Sequence, residues 1–135
     1  MDVTHIPFAR HTGIERKEEG TLKLEPTPTV QNHINSIHAS AQFTLAETQS
    51  GLHLQSLFPT LENKVVAVLR GSTVKYKSPA TTTLTAEASI DKEIKEKFLV
   101  SFEMKGRASI TVKVKLLDEE NTITMIGEYN WFISH

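Results

Sequence analysis

Between Arg107 and Leu117 the sequence RASITVKVKLL alternates without a fault. Ala108, Ile110, Val112, Val114 and Leu116 take one side; Ser109, Thr111, Lys113 and Lys115 take the other. A period of two is the mark of a strand with one face in a core and one in water. Neighbouring segments repeat the theme. KVVAVLRGSTVKYK, starting at Lys64, is a Val-rich strand with Gly71 as a bulge or bend. TTTLTAEASI sets Leu84, Ala86, Ala88 and Ile90 against Thr83, Thr85, Glu87 and Ser89. TITMIGEYNWFI is the last strand, a hairpin partner of RASITVKVKLL across the polar loop DEEN. Antiparallel strands with one apolar face require a cover.

One segment is long enough to supply it. From Ala39 to about Ser56 the residues suit a helix, which must stop before Pro59. Glu47 is its only ionised side chain, and a helix so poor in charge is expected to be surrounded by protein. Upstream, THIPFARHTGIERKEEG reads as a short helix capped by Thr4 and ended by Gly13. TLKLEPTPTV reads as a strand, placed at a sheet edge by Pro26 and Pro28. DKEIKEKFLVSFEMKG is charged and irregular, a helical turn or loop. The expected architecture is α+β: a curved antiparallel sheet wrapped around one long central helix, a single domain over residues 1–135.

Composition narrows the function. A formal net charge of −1 gives no global field to recruit nucleic acid or an anionic membrane. With no cysteine, disulfides and thiolate zinc sites are excluded, and a reducing, cytoplasmic setting is expected. The N-terminus has no apolar signal region, and no apolar run spans a bilayer. His33, His38 and His53 lie five and fifteen residues apart, which fits no usual metal-ligand spacing, so no metal is expected. The G-x-S-x-G, Walker and G-x-G-x-x-G signatures are absent.

Two stretches carry a resemblance. NHINSIHASAQFTLAETQSG contains Asn32, Asn35, His38-Ala39-Ser40, Leu45-Ala46-Glu47 and Ser50-Gly51; VKYKSPA runs from Val74 to Ala80. In this order the chain resembles hotdog-fold acyl-CoA thioesterases of the phenylacetyl-CoA thioesterase type. That family carries Asn, then Gly, then His-Gly-Gly at matching spacing, a helix with Leu-Ala-Asp, and Tyr-x-x-Pro-Ala at a strand end. Here His-Gly-Gly has become His38-Ala39-Ser40, and Glu47 stands where this branch often has Asp. The family's Ser or Thr on the following strand falls in the region 68–72 without an assignable residue.

The resemblance implies hydrolysis of an acyl-CoA or similar thioester, with no cofactor beyond the coenzyme A carried by the substrate, in a homodimer or dimer of dimers. Glu47 would be general base or nucleophile, and the Ala39 N–H an oxyanion donor. His38 would orient the carbonyl, and Asn32 would hold the attacking water. Asn35, Ser40, Phe43 and Lys77 would touch the substrate. Residue chemistry leaves alternatives open: Glu47 at an exposed helix edge, His38 as a cap, Asn32 and Asn35 as turn residues. Lys75, Lys77, Arg107, Lys113 and Lys115 either meet phosphates or line solvated faces. Two rival functions remain. One is a non-catalytic binder of acyl chains or CoA. The other is a hydratase of the same fold, whose Asp-x-Asn-Pro-x-His is only partly matched by HINSIH, where His33 replaces the base.

Overall fold

The computed structural model describes residues 1–61 and 63–135. Its elements are α1 (Pro7–Thr12), β1 (Ile14–Glu18), β2 (Thr21–Leu24), α2 (Ala39–Leu57), β3 (Val66–Tyr76), β4 (Leu84–Ser89), α3 (Lys92–Lys105), β5 (Arg107–Leu117) and β6 (Ile123–Ser134). All pairings are antiparallel, in the order β1-β2-β4-β5-β6-β3. This curved six-stranded sheet around one long helix is the hotdog fold.

The alternation read from β5 is what joins sheet to helix. Ile110, Val112, Val114 and Leu116 are buried, as are Leu84 and Ala86 of β4 and Met125, Tyr129 and Ile133 of β6. Leu45 and Ala46 of α2 are fully buried in the same core. Gln49 fastens α2 to the β1–β2 hairpin: its Oε1 accepts the Leu22 N–H at 2.9 Å and its Nε2 donates to the Gly20 carbonyl at 2.9 Å. At Gly127 a Cβ would lie 2.9 Å from the Tyr129 ring and 3.0 Å from Val74. Glycine there is what lets the Tyr129 ring lie close over the strand.

Four expectations need correction. The segment 91–106 is not a turn but the 14-residue helix α3. Ile94, Phe98 and Phe102 fall four residues apart and form its inner stripe. Gly106, at φ 70°, closes it in the left-handed conformation that other residues resist. Residues 14–18 are strand β1 rather than the tail of a helix, although Gly13 does end α1. Thr4 does not cap α1; it lies in a 3-10 turn and donates to Asp2. β2 is an interior strand, because β1 pairs outside it and both prolines fall beyond its end. The expected bulge at Gly71 is present, as a register shift between Leu69 and Gly71.

The sheet ends on β3, an eleven-residue edge strand. Only Leu69 and Val74 in it are even half-buried; Val66, Val68 and Tyr76 are exposed. No helix among the described residues is long and apolar enough to cross a membrane.

Candidate active site

The site is organised by α2 and the loop that leads into it. Asn32 closes that loop: its Oδ1 accepts the Ile34 and Ser36 N–H groups at 3.0 Å each, and its Nδ2 donates to Ser36 Oγ at 2.9 Å. Both ends of the amide thus serve the turn. Asn35 has φ 60° and is exposed, the turn residue that its chemistry allowed. The Ile37 N–H donates to the Ala80 carbonyl at 2.7 Å, and the His38 N–H to the Val30 carbonyl at 2.7 Å. The VKYKSPA segment therefore lies against the start of α2.

His38 is the N-cap. Its Nδ1 accepts the Ser40 N–H at 2.9 Å, which satisfies one of the helix's free donors. With Nδ1 accepting, a neutral ring carries its proton on Nε2 and keeps that donor for another partner. Gln42 and Ala41 donate to the His38 carbonyl. The Ala39 N–H has no partner among the described residues. Ala39 and Ser40 are exposed, so the two Cβ atoms that replace the family's glycines meet no crowding within the chain.

Two tyrosines mark the face of α2 that looks toward β3 and β6. Tyr76 Oη donates to the Ala39 carbonyl and Tyr129 Oη to the Phe43 carbonyl, each at 3.1 Å. Phe43 is half-buried with its ring edge-on to Tyr129, centroids 5.2 Å apart. Glu47 is one turn further along and half-buried. Its carboxylate has no hydrogen-bond or ion-pair partner among the described residues, and burial pushes its pKa up from 4.5. The Tyr129 phenol is pushed up in turn, chiefly by its own burial, then by the nearby Tyr76 and Glu47 charges. Lys77 is exposed just beyond β3, with its N–H on the Thr124 carbonyl.

The structure gathers Ala39, Phe43 and Glu47 on one stripe of α2, with His38 and Ser40 at its start. Asn32 and Asn35 shape the loop instead of joining that stripe. The two tyrosines were not legible as site residues: Tyr76 reads as strand-end packing and Tyr129 as one aromatic in an alternating strand. Among the described residues no group of three or more His, Asp or Glu is placed to hold a metal.

Several solved structures share the fold. A Pseudomonas aeruginosa protein of unknown function, described as a probable thioesterase, aligns at TM-score 0.80 and 22% identity, covering 98% of this chain and 90% of its own. A Bacillus halodurans protein crystallised with CoA aligns at TM-score 0.70 and 25% identity, covering 90% and 72%. A Haemophilus influenzae thioesterase aligns at TM-score 0.75 and 18% identity, covering 97% and 85%. No curated protein matches the sequence. A family model matches residues 10–133, nearly the whole chain: this protein belongs to the family described as the domain of unknown function DUF4442.

Proposed function

We propose that the protein hydrolyses acyl-CoA thioesters. The observation that carries this reading is Glu47, a half-buried carboxylate on the low-charge central helix, with no partner among the described residues and a raised pKa. A structural carboxylate at such a position is ordinarily paired; an unpaired one with a perturbed pKa suits a general base. The likeness to a probable thioesterase, to a named thioesterase and to a protein crystallised with CoA supports the same choice of substrate.

In this reading Glu47 takes a proton from water as the oxygen adds to the thioester carbonyl carbon. The oxyanion is held by the Ala39 N–H at the positive end of α2. His38, fixed through Nδ1, offers Nε2–H to the same carbonyl. Collapse breaks the C–S bond, and the proton on Glu47 passes to the departing thiolate. Direct attack by Glu47, with a mixed anhydride hydrolysed afterwards, uses the same residues. Asn32 acts by holding the loop, and Lys77 offers its ammonium to the phosphates of CoA.

One chain does not complete this site. Eight residues of helix place Ala39 and Glu47 about 12 Å apart along the axis, and His38 faces away from Glu47. Two chains side by side about a two-fold axis would set Glu47 of one near His38 and Ala39 of the other, making two equal sites. The unpaired, exposed β3 edge and the half-open stripe of α2 suit such a dimer. The test is turnover of short, long and aromatic acyl-CoAs by the wild-type protein and by Glu47→Gln. Turnover lost in the variant supports the reading. No turnover on any substrate, with CoA still bound, makes the protein a binder instead.

A further inference from the structure

We infer that an apolar cavity beside α2 takes the acyl chain of the substrate and fits saturated chains of about eight to twelve carbons, a length set by its size and span. This deepens the hydrolase reading and rests on it. The cavity holds about 350 Å³ and is walled by Gly51, Leu54 and Phe58 of α2, Ala67 of β3, and Trp131 and Ile133 of β6. Val3 and Ile6 from the N-terminal segment and Leu61 and Val65 from the chain between α2 and β3 add to the wall, with Gln55 and Asn63 among the described residues that are polar.

Its position ties it to the carboxylate. Phe43, Glu47, Gly51, Leu54 and Phe58 follow one another at three- or four-residue steps, a single stripe of the helix. Glu47 is therefore one turn from the cavity's first wall. The strand side gives the same order: Tyr129 senses the Glu47 charge, and Trp131, two residues on, shares its face. Gly51 leaves room at the wall nearest Glu47. A Cβ there would stand 3.7 Å from the Trp131 ring, so any longer side chain would enter the cavity. Trp131 is held in place, because its Nε1–H donates to Ser50 Oγ at 2.9 Å and Ser50 Oγ donates to the Glu47 carbonyl at 2.6 Å.

Two measures set the chain length. Glu47 to Phe58 spans about 16 Å of helix. An extended hydrocarbon advances about 1.3 Å per carbon, given C–C bonds of about 1.5 Å, so about twelve carbons cover that span. By volume, 350 Å³ divided among methylene-sized groups of about 30 Å³ each also gives about twelve, fewer with clearance. A larger cavity, about 930 Å³ and bordered by Glu87, Lys113, Lys115 and Glu128, has charged walls and lies off the Glu47 stripe, so it suits a hydrocarbon poorly.

Trp131 is the only tryptophan, so its emission reports occupancy whether or not the protein turns over substrate. Emission is followed while hexanoic, decanoic and hexadecanoic acids are added, and hydrolysis of butyryl-, decanoyl- and hexadecanoyl-CoA is measured in parallel. Each methylene buried adds up to about fourfold in affinity. Decanoic acid should bind at least about tenfold more tightly than hexanoic, and hexadecanoic no more tightly than decanoic. Gly51→Leu should weaken decanoic acid at least about tenfold and lower the decanoyl-to-butyryl hydrolysis ratio alike. Ala67→Phe, at an exposed strand position, gives the same result if Gly51→Leu does not fold. Emission blind to chain length, or unaltered affinity in a folded variant, overturns the inference even if hydrolysis proceeds. Length-dependent emission with no hydrolysis retains the cavity and refutes the hydrolase.

Discussion

The proposed role of Glu47 sets opposite demands in stability and in catalysis. Burial raises its pKa above 4.5, so the folded chain holds the proton more tightly than the unfolded chain. The stability linked to that proton is full below 4.5 and is lost as pH rises through the folded value. Glu47→Gln avoids this loss. Its melting temperature should match wild type in acid and exceed it at neutral pH; a deficit at neutral pH would contradict the account. A general base must be ionised, so kcat/KM should climb with pH on the acid limb, with its midpoint above 4.5. Glu47→Gln should lower hydrolysis by about 10²-fold or more. His38 has a structural role that can be measured apart from its proposed one. Losing its cap on Ser40 should cost about 1 kcal/mol in His38→Ala, seen in denaturant melts.

At the scale of elements, α2 is both cover and scaffold. Gln49→Leu keeps the volume but strands the Leu22 N–H and the Gly20 carbonyl, at a cost of about 2–5 kcal/mol, measurable by chemical denaturation. Ala39→Pro tests the other end. Its N–H has no partner among the described residues, proline suits the first turn, and His38 already has the extended ψ of 141° that a following proline demands. The variant should fold and lose about 10²- to 10³-fold in rate. Which elements the sequence betrayed follows from their surroundings. β4, β5 and β6 were legible because one face of each strand is buried, β3 because its run is rich in valine, and α2 because it is starved of charge. β1 was not, because four of its five residues are exposed and no alternation survives. α3 was hidden by seven Lys and Glu side chains around a stripe of only three apolar residues. Glu47, His38 and Ala39 stood out in the sequence. Tyr76 and Tyr129 did not, because their roles depend on which carbonyl of α2 each hydroxyl reaches across the fold.

At the scale of the whole molecule, the proposed site needs two chains. Glu47 opens on a half-covered stripe of α2, the Ala39 N–H lies about 12 Å further along the same axis, and β3 ends the sheet with eleven residues unpaired on one side. A two-fold pairing of chains answers all three. The most direct measurement mixes Glu47→Gln with Ala39→Pro, each inactive alone, under conditions that exchange subunits. Each heterodimer then joins the intact Glu47 of one chain to the intact Ala39 of the other in one of its two sites. The account predicts that hydrolysis returns, up to half the wild-type rate per heterodimer. No return of activity, with exchange confirmed by mass spectrometry of differently labelled chains, would contradict it.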